Sequence, residues 1–373
     1  MNGRVWTCTA IAAAIGSFFA AALSAQMATA DRVAASGWWP TKGTAPRTEY
    51  VGAAACARCH TAHATTQATT AMARTLTRAH ESEPLRAHAR LTFTDPPYSY
   101  DVQTADRQSV YSVSDGRERR SAPLTWAFGV GNVGQSFLFE RDGAFFEARV
   151  SYFDAKRALD LTPVREARSP QLIDDAMARP VGAAEARRCF ACHATAPVTG
   201  GVFDANRGTP GVTCEACHGP GRPHVDAMRE PRAQGGAAIL NPATLEPADS
   251  VDFCGACHAT FWDVKLADEK GLAALRSQPY RLQSSRCWSG GDRRLTCIAC
   301  HNPHRPLVRA AATYDARCLS CHASKDVTPT AAQTAPACRT ASRNCVTCHM
   351  PKYEVPEMHH AFTDHLIRIV RSR

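Results

Sequence analysis

The stretch CIACHNPH, residues 297–304, sets two cysteines three positions apart, places His301 directly after the second, and adds His304 three residues further on. Taken alone it fits half of a zinc site, a redox dithiol or a point of covalent haem attachment. The rest of the chain decides. The pentad Cys-x-x-Cys-His recurs at 56–60, 189–193, 214–218, 254–258, 297–301, 318–322 and 345–349, whereas the composition predicts roughly 0.03 copies by chance. Structural zinc sites pair one such cysteine couple with another, or with a histidine couple, and do not require His after every second Cys. A thioredoxin-like dithiol calls for a single motif beside a βαβ pattern, not seven in Gly- and Pro-rich sequence. Haem attachment accounts for both the spacing and the fixed histidine.

The chemistry explains why these residue types are needed. Two sulfurs on one helical turn match the two vinyl groups of a haem, and the histidine that follows lies under the ring to ligate iron. Cys56, Cys59, Cys189, Cys192, Cys214, Cys217, Cys254, Cys257, Cys297, Cys300, Cys318, Cys321, Cys345 and Cys348 are the expected thioether positions of seven haem c groups. His60, His193, His218, His258, His301, His322 and His349 are the expected proximal ligands.

Eight histidines remain for the opposite faces: His63, His80, His88, His224, His304, His359, His360 and His365. His304 follows His301 too closely to reach around the same ring, so it is expected to serve a neighbouring haem and hold the two groups close together. His224, in CHGPGRPH, follows the same reasoning, with Gly219 and Gly221 letting the backbone bend closely. His360 and His365, in HHAFTDH beyond the last pentad, are expected to return to earlier haems. His63, His80, His88 and His359 divide evenly between ligation and ordinary packing. Met72 is a further candidate, whose thioether would raise a haem potential.

The first 30 residues have the form of a secretory signal: Arg4, an apolar run from Ala10 to Leu23, and Ala28-Thr29-Ala30 before Asp31. The apolar run is short for a span of about 20 residues, and nothing later approaches that length, so an exported chain without a membrane span is expected. Cys8 leaves with the signal. Cys287 and Cys338 are then the cysteines outside pentads, and an exported protein can join them as a disulfide. The formal charge of +9 would suit nucleic acid. Each ferric haem, however, adds about one negative charge once its two propionates are counted, so seven nearly cancel it and no nucleic-acid partner is expected.

Motifs are unevenly spread. One lies near the start, residues 61–188 hold none, and six fall between 189 and 349. Within the gap YSYDVQ (98–103), SVYSVSDG (109–116) and SFLFERDGAFFEARVSYF (136–153) alternate apolar and polar residues, and Arg141-Asp142-Gly143 marks a turn between strands. The expected division is a signal at 1–30, a first haem region at 31–90, a small β-rich insertion at 91–170 and a hexahaem domain at 171–373. The fold expected is that of a multihaem cytochrome c: mainly short α-helices and loops around stacked haems, with macrocycles replacing much of the usual apolar core.

YVGAAACARCH (50–60), TTAMART (69–75), LTFTDP (91–96), VTCEACHGPG (212–221), CIACHNPHRP, CVTCHMPK (345–352) and HAFTDHLIR (360–368) resemble the exported multihaem c cytochromes whose N-terminal haem region is similar to the tetrahaem electron carrier of ammonia oxidisers. The likeness spans nearly all of the chain after the signal. It implies proximal roles for the pentad histidines and distal ones for His224, His304, His360 and His365. Some members of that group carry tetratricopeptide repeats, but none follows Arg373, so docking through such repeats is not implied. Met72 stands where relatives commonly show His or Met.

Two function classes follow. An electron carrier moves single electrons between exported redox proteins or membrane quinol and cytochrome complexes, in the periplasm or an equivalent exported location. A reductase or oxidase of a small nitrogen or sulfur compound needs an iron with an open position. Every pentad ends in His, so the lysine-ligated catalytic motif of pentahaem nitrite reductases is absent, and no acid–base constellation can be assigned. The carrier is the expected class, without catalytic residues.

Overall fold

A computed structural model describes residues 45–163, 170–230, 238–268, 270–271, 273–323, 328–338 and 340–369. The expected signal segment, 1–30, lies outside the described residues. Two kinds of architecture share the chain.

The region without pentads is built of antiparallel strands. β1 (Leu76–Arg78), β2 (Arg90–Asp95), β3 (Tyr98–Ala105), β4 (Gln108–Ser114), β5 (Arg119–Pro123), β6 (Trp126–Phe128), β7 (Gly134–Arg141), β8 (Ala144–Ala148), β9 (Val150–Phe153), β10 (Ala158–Leu161) and β11 (Ala178–Val181) follow in chain order. β2-β3-β4-β5 form a four-stranded meander. A seven-stranded sheet runs β1-β6-β7-β8-β11, with β9 paired to β7 and β10 to β9. Its turns have clear local causes. Asp106 and Arg107, both at positive φ, join β3 to β4, and Asp142 with Gly143 (φ 52° and 75°) join β7 to β8 with Arg141 opposite Ala144. Positive φ at both central residues gives a turn whose twist matches that of the strands, and Asp-Gly adopts it readily.

One apolar cluster joins the two sheets. Leu91, Tyr100, Val102, Tyr111 and Val113 pack with Phe137, Phe139, Val150 and Leu159. The larger sheet also draws in β1 and β11, which lie on either side of residues 91–170. Strand alternation marked the interior of this region but gave little sign of these short edge pieces, whose pairing depends on distant partners.

After residue 205 the architecture changes. Helices there are short, and in both parts of the chain each pentad lies on or at the end of a helical turn: Ala53–Ala57, Ala183–His193, Cys214–His218, Pro247–His258, Cys297–Cys300, Asp315–Leu319 and Cys345–His349. Among the described residues of this part the buried apolar side chains are Val251, Val264, Ala274, Leu275, Ala323 and the prolines Pro247 and Pro279, against a much larger set before residue 206. So few buried apolar groups leave the ordering of more than a hundred residues to some other source of apolar contact. Among the described residues no helix is long and apolar enough to cross a membrane.

A second cluster fastens the two parts together. Phe190, in the helix Ala183–His193, is fully buried against Trp126, Phe128, Phe145 and Phe203, with ring centres 5.2 to 5.7 Å away. Because Cys189, Cys192 and His193 share that helix, the β-region holds the second pentad directly. At the far end of the chain His359 meets the same region, with Nε2 3.0 Å from Asp160 Oδ2 and its ring against Phe153.

Candidate haem-binding site

Each pentad closes one helical turn, which brings its two sulfurs to one side of the backbone. In three pentads outside longer helices the histidine N–H closes this turn onto the carbonyl of the first cysteine: His60 on Cys56 at 2.9 Å, His301 on Cys297 at 2.8 Å and His322 on Cys318 at 3.0 Å.

Hydrogen bonds then orient the imidazoles. Nδ1 of His218 lies 2.8 Å from Leu240 O, that of His322 2.7 Å from Pro336 O, and that of His349 2.9 Å from Arg368 O. Nδ1 of His193 lies 3.1 Å from Thr75 O and 2.8 Å from Thr75 Oγ1. A carbonyl can only accept, so Nδ1 carries the proton and Nε2 keeps its lone pair, which is the arrangement found behind metal-bound histidines. Burial holds His193, His258, His301 and His304 below the usual imidazole range, His304 further through His63 and His218. His365 is pushed down to about 4 by burial and by His301 beside it. Neutral imidazole is the form that ligates iron.

Three pentad histidines face a second histidine. His60 and His224 have ring centres 6.4 Å apart, His218 and His304 6.0 Å, and His301 and His365 6.2 Å. Two nitrogen–metal bonds of about 2 Å each, plus about 1 Å from each nitrogen to its ring centre, require about 6 Å between rings flanking one metal ion. These separations fit iron in a haem. The 4.8 Å between His63 and His304 does not. His304 faces His218, a histidine of a different pentad from its neighbour His301. His360 instead rests on Phe362, with ring centres 4.9 Å apart. His88 Nδ1 lies 2.8 Å from Pro84 O, and His80 Nε2 3.8 Å from Glu81. Met72 is tied through its carbonyl, which accepts from Val212 N at 2.9 Å. Beside that contact Gly211 (φ +81°) leaves no room for a side chain, because a Cβ would lie 1.9 Å from Ala73 O.

The pentads touch one another. The helix of the first pentad packs on that of the third, the helix of the fourth on those of the second and fifth, and the helix of the sixth on that of the seventh, with Cys192 Sγ 3.6 Å from Ala256 O. Cys217 adjoins Cys254, and Cys300 adjoins Cys318. The first pentad therefore meets the third and the third meets the fourth. The fourth meets both the second and the fifth, and from the fifth contact continues through the sixth to the seventh. Cys257 and His258 have open surface although the neighbouring Cys192 thiol and burial drive the Cys257 thiol well up and burial drives the His258 imidazole down. Side chains with both properties line internal space, as an inserted macrocycle needs. Among the described residues no group of three or more His, Cys, Asp or Glu side chains converges to hold a metal ion by itself.

Buried carboxylates brace this assembly, and the pentad pattern gave no sign of them beyond the acidic residue inside CEACH. Asp315 accepts from the N–H groups of Asn344 (2.7 Å) and Cys345 (2.8 Å), so the sixth pentad's helix caps the seventh. Asp364, with no exposed side-chain surface, accepts from Arg281 Nε (2.8 Å) and Nη2 (2.6 Å), from Arg368 and from Leu366 N. It thereby fixes the segment that carries His365 and the Arg368 carbonyl behind His349.

Cys287 and Cys338 correct an expectation, because both thiols are free. Cys287 lies near Cys321, and Cys338 Sγ accepts from Ala341 N at 3.5 Å. Equal redox environment does not bring two cysteines within bonding range; the chain path must do that.

The family described as cytochrome c554 and c-prime matches residues 151–219, and a doubled CXXCH motif family matches residues 290–327. The chain is a multihaem c-type cytochrome. No curated protein matches this cytochrome. Among solved structures it is similar to the outer cell wall cytochrome OcwA, at 17% sequence identity and a TM-score of 0.35, over 57% of this chain and 38% of that one. The cytochrome thus spans well under half the length of that structure.

Proposed function

We propose that this cytochrome is an exported heptahaem electron carrier, with haem c attached at all seven pentads. The observation that carries the reading is the placement of a second histidine about 6 Å from His60, His218 and His301, which leaves no open iron position at those three sites. Bound haem supplies a reversible one-electron iron couple. The chain's own residues orient and tune it. His224, His304 and His365 act as distal ligands, and His360 is retained as a fourth distal candidate for another pentad. Thr75, Leu240, Pro336 and Arg368 fix the proximal imidazoles through Nδ1, which raises their basicity toward iron.

Contact between successive pentads favours conduction, since electron hopping needs neighbouring centres at close range. The contact order runs from the first pentad through the third and fourth to the seventh, with the second as a branch held by the β-region. In this reading the haem groups stack or meet edge to edge, with a first haem region at 31–90, a β-rich insertion at 91–170 and a hexahaem domain at 171–373. Suitable partners are exported redox proteins or membrane quinol and cytochrome complexes.

An EPR spectrum of the oxidised holoprotein, repeated with cyanide or nitrite, tests the proposal. Low-spin ferric signals that ignore both anions support the carrier. A high-spin signal that shifts with them refutes it in favour of a reductase or oxidase of a small nitrogen or sulfur compound.

A further inference from the structure

Glu215 lies inside the third pentad, in the helix Cys214–His218, and only 3% of it is exposed. Its carboxylate accepts three backbone N–H groups, all at 2.8 Å: Val51 and Gly221 on Oε1, and Gly52 on Oε2. These donors come from two separate segments. Gly52 directly precedes Ala53–Ala57, the helix that brings Cys56 and leads to His60. Gly221 directly precedes Arg222–Ala227, the helix that carries His224. The two histidines so delivered are the pair 6.4 Å apart.

We propose that Glu215 is the positioning residue of the first haem site: from within the third pentad it clamps both the segment bearing the proximal ligand and the segment bearing the distal one. The proposal rests on the reading of His60 and His224 as axial ligands. Packing at the clamp is tight. A Cβ on Gly221 would come 2.8 Å from Val51 Cγ2 and 3.1 Å from Glu215 Oε1, so a side chain there would have to displace Val51 and crowd the carboxylate. The carboxylate also has an electrostatic effect. Together with burial, it pushes the neighbouring Tyr50 phenol toward its protonated form. A buried negative charge beside the first site favours ferric over ferrous iron and lowers that site's potential.

The test uses purified holoprotein of wild type, Glu215→Gln, Glu215→Ala, His224→Ala and the double variant Glu215→Ala/His224→Ala. Haem content by mass spectrometry, EPR and redox titration are the readouts. Glu215→Ala should move about one in seven ferric irons to high spin, as His224→Ala does, and the double variant should move no more than either alone. Glu215→Gln, which keeps the side chain's shape, should raise one potential of the titration. Should Glu215→Ala not mature, Glu215→Gln decides. Unchanged spin count and unchanged potentials in the Glu215 variants overturn the clamp. If His224→Ala itself changes no spin state, the ligand assignment fails instead, and the two failures are told apart.

Discussion

Replacing Asp364 by Asn tests the brace at the end of the chain. Asp364 has no exposed side-chain surface, and its partners Arg281 and Arg368 are 19% and 28% exposed. Burial alone would raise its carboxyl pKa, but the Arg281 hydrogen bonds, the Leu366 N–H and Arg368 outweigh it, and the net shift is downward. The charged form is thus the one the fold stabilises. Asn keeps the volume but removes the charge, and two guanidiniums then share one weak acceptor. Breaking a buried ion pair by removing one member costs about 3–5 kcal/mol. At about 2–4 °C per kcal/mol, the melting temperature of the oxidised holoprotein should fall by roughly 10 °C, read by the loss of Soret circular dichroism on heating. The same segment carries His365, opposite His301, and Arg368 O, behind His349. One or two ferric irons should therefore turn high spin at neutral pH. A melting shift below about 2 °C together with an unchanged EPR spectrum would refute the role given to Asp364.

Other outcomes follow from the same geometry. His304→Ala should keep seven covalent haems yet turn one iron high spin, that of His218 and not of His301; seven low-spin centres would remove His304 as a ligand. Phe190→Ala removes the ring surrounded by four aromatic side chains and should cost about 3–5 kcal/mol in thermal stability, with the spectrum of the second site perturbed most. Gly211→Ala should sharply reduce the yield of folded holoprotein, because its Cβ would meet the Ala73 carbonyl. Alkylation of denatured, unreduced protein followed by mass spectrometry should label both Cys287 and Cys338; an unlabelled pair would show the disulfide that the structure lacks.

Much of this protein could be read locally. The thioether positions follow from cysteines on one helical turn, the strand at 98–103 from its alternation, and the turn at Asp142-Gly143 from two residues that tolerate positive φ. Attachment chemistry and hairpin geometry both act over a few residues, so neighbours in sequence suffice to specify them. The opposition of His224 to His60, His304 to His218 and His365 to His301 spans 164, 86 and 64 residues along the chain, and no local spacing encodes it. Nor does any spacing encode the recruitment of Leu76–Arg78 and Ala178–Val181 to one sheet, or the separation of Cys287 from Cys338. Two of the histidine pairings lie where buried carboxylates join distant segments: Glu215 beside the segments of His60 and His224, and Asp364 beside that of His365. A carboxylate acts at hydrogen-bond range in space, whatever the distance along the chain, so only the tertiary structure decides which ligands meet.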